Sequence, residues 1–186
     1  MQKKDLIDVQ TNYQKAIIFA ATKHLEINQT IKDSNLPYVI HLSNVAMEIL
    51  IASNNTSEFD LDYAAQTALL HDTLEDTNTT FQELEAEFGR EIAEGVAALT
   101  KNEDLPKEER MLDSLERISK QKKEIWAVKL ADRITNLQKP PISWNDFKRR
   151  KYREEAQIIL EKLKGGNQYL ENRLRIKIEE YEQYLD

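Results

Sequence analysis

Residues that interrupt secondary structure are scarce in this sequence, because glycine and proline occur only four times each among 186 residues. Leu, Glu, Lys, Ala and Ile are abundant, and all of them except Ile are strong helix formers. Apolar residues recur at helical spacing between the few breaks, as in the stretch from Leu6 to His24. This combination favours long helices over many short strands, and the sequence therefore predicts an all-α fold.

The predicted helices follow one another with short polar turns between them. In chain order they span residues 6–27, 38–52, 61–75, 81–88, 90–100, 107–119, 123–138, 145–163 and 167–185. Thr79 or Thr80 is expected to cap the fourth of these helices and the segment SWND the eighth. No repeat and no long linker divides the chain, so we expect residues 1–186 to form one domain of about eight to nine helices.

Composition excludes several kinds of protein. A net charge of −7 makes nonspecific binding to long nucleic acid a poor explanation, although a local basic cluster can still bind a small anion. The cluster KRRKYR at 148–153, taken alone, is typical of a solvated helix face. Without cysteine, any metal ion must be held by His, Asp or Glu. No signal peptide and no apolar run of membrane-spanning length is present, which predicts a cytoplasmic protein without a membrane partner.

The segment HDTLEDT at 71–77 concentrates ionisable side chains directly after the apolar run AAQTALL. On a continuous helix, His71, Asp72, Glu75 and Asp76 would share one side of its C-terminal end. Three carboxylates this close repel one another unless a cation or water intervenes, and they oppose the helix macrodipole. By itself the segment is compatible with an acidic helix end and with a metal or catalytic site.

Two other ionisable residues follow or lie within apolar stretches. His41 sits in PYVIHLSNVAMEIL, and Asp132 follows AVKLA, with Asn136 one turn further along. Each has an ordinary structural explanation, as a hydrogen-bonded core histidine or an ion-paired aspartate. Together with His71 and Asp72 they form a mixed nitrogen and oxygen set, which suits Mn²⁺, Fe²⁺, Co²⁺ or Zn²⁺ better than Ca²⁺. His24, the third histidine, is expected to be structural or to support a loop.

The pattern of these residues on separate helices resembles the HD-domain metal-dependent phosphohydrolases. The stretches PYVIH, ALLHDTLEDT, VKLADRITNL and the FG of FQELEAEFG are similar to the hydrolase domain of the RelA/SpoT alarmone enzymes, in which the motif is extended to HDxxED. LTKNEDLPKEER, SWND and GGNQYLEN further resemble the free-standing small alarmone hydrolases, including the metazoan SpoT homologs. The resemblance covers residues 13 to 175 approximately.

This resemblance implies hydrolysis of the 3′-pyrophosphate of guanosine 3′,5′-bis(diphosphate), ppGpp or pppGpp, to GDP or GTP. It implies a Mn²⁺ cofactor, with other divalent transition metals as substitutes, held by His41, His71, Asp72 and Asp132. Glu75 and Asp76 would orient and deprotonate the attacking water. The substrate contacts that it implies are Lys32, Lys107, Asn136 and Tyr152.

The sequence departs from this family at the loop before PYVIH. Relatives usually carry Arg-Lys where this chain has Ile31-Lys32, and isoleucine can pack on a base but cannot supply a cation. Another phosphorylated nucleotide, such as a 3′-phosphonucleotide or the 2′-phosphate of NADPH, is therefore an alternative substrate. A non-catalytic nucleotide-binding protein is a third interpretation. The expected partner is a small nucleotide, and the C-terminal helix could dock on its own domain or on another copy in a homo-oligomer.

Overall fold

The computed structural model describes the backbone of residues 3–185 and the side chains of residues 6–185. This part of the chain contains ten α-helices and a final 3-10 helix, and no strand longer than an isolated bridge between Thr30 and Pro37. The α-helices are α1 (Lys3–Glu26), α2 (Val39–Ser53), α3 (Leu61–Leu70), α4 (Thr73–Asp76), α5 (Phe81–Phe88), α6 (Arg90–Leu99), α7 (Arg110–Ser119), α8 (Lys123–Asn136), α9 (Asp146–Lys162) and α10 (Gln168–Glu180). The predicted all-α fold is confirmed, and nine of these helices are longer than one turn.

Helix α3 lies at the centre of the molecule. All eight of its residues from Tyr63 to Leu70 are buried, and α1, α2, α6 and α8 pack around it. Ala64 and Ala68 have no exposed surface, and their small side chains let neighbouring helices approach closely. A helix that is apolar on all sides can only be stable when it is enclosed. This burial holds the C-terminal end of α3 rigidly against α2 and α8.

Among the helices whose first residues are described with their side chains, four begin with a side-chain cap, in which a side-chain oxygen accepts a hydrogen bond from a backbone N–H of the first turn. The capping residues are Asp60, Thr80, Asn145 and Asn167. The caps at Thr80 and within SWND were both predicted from the sequence. Gly89, at φ +86°, makes the sharp turn between α5 and α6 that only glycine adopts easily.

The predicted continuous helix over 61–75 is wrong at its C-terminal end. Helix α3 stops at Leu70, and a separate turn, α4, begins at Thr73. The side chains of His71 and Thr73 bond to the last carbonyls of α3, since His71 Nδ1 lies 2.8 Å from the oxygen of Ala68 and the Thr73 hydroxyl donates to Leu70 at 2.7 Å. These bonds compete with the helical pattern and place His71 and Asp72 in the break.

The helix predicted to start at residue 107 starts later, at Arg110, as α7. A turn precedes it, in which the N–H of Glu109 donates to the carbonyl of Pro106. At the C-terminus, α10 is shorter than predicted, and a 3-10 helix follows at Tyr181–Tyr184. Helix α10 packs against α8 and α9 of its own chain. No described helix combines the length and apolar character needed to cross a membrane.

Candidate metal and nucleotide site

The predicted ligand residues come together where three structural elements meet. His41 lies in the first turn of α2, His71 and Asp72 lie between α3 and α4, and Asp132 lies on α8. One ligand atom each from His41, His71 and Asp132 falls within 4.8 Å of the others. The Asp72 carboxylate joins this group, because its Oδ2 is 2.9 Å from His71 Nε2 and 3.6 Å from His41 Nε2.

The chemistry of these atoms fits a divalent metal ion. His71 Nδ1 faces the carbonyl of Ala68, which can only accept, so Nδ1 carries the proton and Nε2 of the neutral ring has a free lone pair. The Nε2 atoms of His41 and His71 are buried and face carboxylate oxygens, so no protein donor satisfies the lone pair of a neutral ring. Buried polar atoms normally have partners, and two free imidazole nitrogens beside carboxylates form a donor set that a divalent metal ion satisfies.

The charges of the cluster strongly shift one another's pKa values. Burial lowers the pKa of His71, but the adjacent carboxylates of Asp72 and Asp132 outweigh burial and raise that pKa well above its ordinary value. Burial raises the pKa of Asp72, but the neighbouring His71 outweighs burial and lowers that pKa. Burial likewise raises the pKa of Asp132, but Lys129 and the two histidines outweigh it and lower that pKa. A cation is therefore favoured at the centre of the cluster, whether a proton on His71 or a metal ion.

Neighbouring side chains orient the carboxylates of Asp72 and Asp132. The hydroxyl of Tyr38 donates to Asp72 Oδ2 at 2.5 Å, and Lys129 Nζ lies 3.1 Å from Asp132 Oδ2. The amide of Asn136, predicted as a substrate contact, donates to Asp132 Oδ1 at 2.5 Å. Hydrogen bonds of this kind fix ligand geometry in metal sites. Neither Tyr38 nor Lys129 was predicted as a site residue, although both lie within the stretches that carry the resemblance.

The two predicted catalytic acids lie side by side on α4 in different surroundings. Glu75 is paired with Lys101, whose ammonium contacts Oε1 and whose backbone N–H donates to Oε2 at 2.9 Å. Asp76 accepts a hydrogen bond from the Gln29 amide at 2.8 Å. Desolvation and the Asp72 carboxylate raise the pKa of Asp76 above its usual range. Lys101 and Gln29 were missed from the sequence, because each lies far along the chain from the acid that it contacts.

Two adjoining cavities open at the cluster, and they share Tyr38, Asn136 and Tyr152. The Trp144 cavity, of about 560 Å³, is lined by Ile31, Lys32, His41, Pro140, Pro141 and Trp144 among others. The Asp72 cavity, of about 500 Å³, contains His71, Asp72, Glu75, Asp76, Lys101, Lys107 and Asp132. The predicted substrate residues are thus divided between the cavities, with Lys32 in one, Lys107 in the other, and Asn136 and Tyr152 at the junction.

The wall of the Trp144 cavity is aromatic and flanked by cations. The Trp144 ring meets Tyr152 edge-on at 4.9 Å between centroids, and Nζ of Lys32 and Lys148 lie 5.6 and 4.5 Å from the Trp144 centroid. Arg133 stacks on the other ring, 4.2 Å from the centre of Tyr152. Such a wall suits a planar heteroaromatic ring. Trp144 was not predicted as a site residue.

The basic cluster at 148–153 is divided between structural and site-facing roles. Lys151 and Tyr152 line the Asp72 cavity. Arg150 pairs with Asp146 one turn away, and Arg153 pairs with Glu182. Only part of the cluster is therefore the solvated helix face that the charge run suggested.

Comparison with known proteins agrees with this architecture. Residues 16–166 match the HD-domain family. The chain is 37% identical over 166 residues to the guanosine-3′,5′-bis(diphosphate) 3′-pyrophosphohydrolase MESH1 of Danio rerio, covering 87% of this chain and 89% of that protein. The Homo sapiens protein of the same name is 35% identical over 166 residues, again covering 87% of this chain and 89% of the relative.

The fold is also similar to a solved structure described as a metazoan ortholog of SpoT that hydrolyses ppGpp. The two superpose with a TM-score of 0.79 and 30% sequence identity, covering 94% of this chain and 97% of the other. A conserved arrangement of the helices over nearly the whole length accompanies the sequence match. The chain belongs to the HD-domain family, in the branch of the small guanosine-3′,5′-bis(diphosphate) 3′-pyrophosphohydrolases.

Proposed function

We propose that this protein is a Mn²⁺-dependent hydrolase of the cytoplasm that removes the 3′-pyrophosphate of ppGpp or pppGpp, giving GDP or GTP. The convergence of His41, His71 and Asp132 beside the carboxylates of α4 is the observation that carries the proposal. The activity named for the MESH1 relatives supports it. In this proposal, residues 1–186 form one HD-type domain that acts on a small nucleotide.

The donor set proposed for the metal is His41, His71, Asp72 and Asp132. A divalent ion bound there would neutralise phosphoryl charge and lower the pKa of a coordinated water. Asp76 is suited to accept the proton of the attacking water, because desolvation and the Asp72 carboxylate raise its pKa. Glu75, whose carboxylate is paired with Lys101, is suited to orient that water.

Local charge explains how an acidic protein can hold a polyanion. The Asp72 cavity is lined by six cationic side chains, which are Lys101, Lys107, Arg110, Lys129, Arg133 and Lys151. Five carboxylates line the same cavity, and three of the cations pair with them, Lys101 with Glu75, Lys129 with Asp132 and Arg133 with Glu155. Lys107, Arg110 and Lys151, together with a bound divalent ion, would supply the positive charge that phosphates need. In the proposed pose the pyrophosphate occupies this cavity and the nucleoside lies against Trp144. Asn136 and Tyr152 then lie between the phosphates and the base, and Lys32 lies beside the base.

The direct test compares pyrophosphate release from ppGpp by wild type and Asp72→Asn in the presence of Mn²⁺. The variant removes a charge from the ligand set, and we expect kcat/KM to fall by at least about a hundredfold. Asp62→Asn is a matched control, since Asp62 pairs with Asn12 away from the site. Equal turnover by wild type and Asp72→Asn would contradict the proposal.

A second candidate substrate is another phosphorylated nucleotide, such as a 3′-phosphonucleotide or NADPH. Ile31 favours this alternative, because the Trp144 cavity has an isoleucine where relatives usually place an arginine. Relative kcat/KM values for ppGpp, 3′-phosphonucleotides and NADPH under one set of conditions distinguish the two. If Ile31 determines base choice, Ile31→Arg should shift the ranking toward ppGpp, with little change in Mn²⁺ affinity.

A further inference from the structure

We propose that His24 and Gln29 act as positioning residues for Asp76, through two consecutive hydrogen bonds that reach α4 from the loop after α1. Gln29 Nε2 donates to Asp76 Oδ2 at 2.8 Å, and His24 Nδ1 lies 2.5 Å from Gln29 Oε1. The inference rests on the proposed role of Asp76 as the proton acceptor. It assigns a function to the histidine that the metal site does not use.

The direction of both bonds follows from what each group can donate. An ionised carboxylate only accepts, so the amide NH₂ of Gln29 must face Asp76. The amide oxygen then faces His24, and His24 Nδ1 must carry the proton that it donates. The unpartnered Nε2 of His24 is consistent with this tautomer. The three residues therefore have one self-consistent arrangement, in which the histidine fixes the orientation of the glutamine amide.

His24 is itself held firmly. Its side chain lies in the last turn of α1, is 1% exposed, and stacks 4.7 Å from the ring of Tyr38. Burial lowers the pKa of His24, which keeps the ring neutral near pH 7. The backbone N–H of Gln29 also donates to the carbonyl of His24 at 2.9 Å, and Asn28 at φ +54° makes the turn between them. Gln29 is thus anchored through both its backbone and its side chain.

Asp76 needs such an anchor because α4 is only four residues long. A single turn of helix does little to hold its last side chain, and Asp76 lies on the exposed side of that turn. Glu75 has its own anchor in Lys101, which leaves Gln29 to restrain the neighbouring acid. Since a displacement of about 1 Å can cost about a hundredfold in rate, a bond that fixes one carboxylate oxygen affects the chemical step.

The first test uses the metal-free protein and no substrate. Side-chain ¹⁵N and ¹H NMR of the histidines should show that His24 is protonated on Nδ1 and unprotonated on Nε2. Gln29→Leu, which keeps a side chain of similar size but removes the amide donor and acceptor, should perturb the His24 Nδ1–H signal. A proton found on Nε2 instead of Nδ1 would overturn the proposal, because His24 could not then orient Gln29.

The second test separates positioning from binding. Gln29→Leu and His24→Phe should each lower kcat by about tenfold to a hundredfold, with KM and Mn²⁺ affinity within about twofold of wild type. Phenylalanine keeps the ring packed against Tyr38 but donates no hydrogen bond. In His24→Asn, the side-chain NH₂ can donate from the position that Nδ1–H occupies in wild type, and this variant should keep most of the wild-type kcat. Gln66→Leu, at a buried glutamine on α3 that hydrogen-bonds the Asp62 carbonyl, is the matched control.

Other kinetic outcomes would contradict the inference. An unchanged kcat in Gln29→Leu, or losses of Mn²⁺ affinity as large as the loss of kcat, would show that these residues do not act on Asp76. If wild type hydrolyses a different nucleotide in place of ppGpp, the proposed substrate is wrong, and the same variants are compared on the nucleotide that is cleaved. The tautomer measurement gives its answer whichever substrate is used.

Discussion

His71 shows how one residue joins structure to metal chemistry. Its Nδ1–H is engaged by the carbonyl of Ala68, and its Nε2 faces Asp72 and Asp132. Those carboxylates raise the pKa of His71 well above its ordinary value, so the metal-free cluster binds a proton where the metal would bind. Proton and metal ion therefore compete for the same nitrogen.

This competition predicts that Mn²⁺ binding releases protons and strengthens with rising pH. The pKa of His71 is raised in the folded state, so its protonated form stabilises the metal-free protein below the unfolded pKa of about 6.5, and this stabilisation is lost as pH rises through the folded pKa. Calorimetric titration of Mn²⁺ in two buffers of different ionisation enthalpy measures the proton count. Affinity should increase with pH and level off above the folded pKa of His71.

The control for this titration is His24→Asn, which leaves the ligand set intact and should release the same number of protons as wild type. Mn²⁺ binding that is independent of pH, with no proton released, would contradict the assignment of His71 as a ligand that is protonated in the metal-free protein.

At the scale of single elements, the break between α3 and α4 is the feature that presents the ligands. At this break the Asp72 carboxylate lies beside both imidazoles, with Oδ2 2.9 Å from His71 Nε2 and 3.6 Å from His41 Nε2. The hydroxyl of Thr73, which is fully buried, donates to Leu70 and terminates α3. This bond, together with the contact of His71 Nδ1 with the Ala68 carbonyl, sets the backbone path that positions His71 and Asp72.

Thr73→Val is therefore expected to affect metal binding as well as stability. The substitution keeps the shape of the side chain and removes the hydroxyl, which should cost about 1 kcal/mol of unfolding free energy. Mn²⁺ affinity should fall by about threefold to tenfold, because His71 and Asp72 lose part of their support. Thr67→Val is the matched control, since the buried Thr67 hydroxyl donates to Tyr63 inside α3 at 2.8 Å. Equal losses of Mn²⁺ affinity in both variants would refute a special role for the break.

At the scale of the whole molecule, the C-terminal helix closes the fold around α8. Leu170, Leu174 and Ile178 bury their side chains, and α10 packs against α8, the helix that carries Asp132. Arg173 forms a bidentate ion pair with Glu48 of α2, with N–O distances of 2.8 to 3.0 Å. Helix α10 thus contacts both α2, which carries His41, and α8, which carries Asp132.

Leu174→Ala should lower stability without changing the chemistry. Removing a fully buried leucine side chain costs about 2–5 kcal/mol, which thermal or denaturant unfolding measures. Ile176→Ala on the same helix is the control, because Ile176 is 50% exposed and its loss should change stability by less than about 0.5 kcal/mol. Below the melting temperature, kcat should be the same in both variants. A comparable destabilisation by both would contradict the docking described for α10.

Much of the helical architecture could be predicted from the sequence, because a helix depends on residues three or four positions apart. The prolines and three of the four glycines lie between helices, whereas Gly95 lies within α6, and the caps at Thr80 and Asn145 are local signals. The set of His41, His71, Asp72 and Asp132 could be proposed in the same way, since each residue follows or lies within an apolar stretch. A boundary such as that at Leu70 was missed, because it depends on side-chain bonds to the backbone.

Only the tertiary structure decided how the acids of α4 differ. Glu75 meets Lys101 and Asp76 meets Gln29 across 26 and 47 residues of chain, and neither pairing has a local signature in the sequence. Likewise, Trp144 joins Lys32 in one cavity although they lie in distant segments. The sequence alone thus determined the helices and the types of ligand available, because both are local properties. Which acid is paired, which has a raised pKa and which aromatic rings line a cavity depend on helices brought together by the burial of the core.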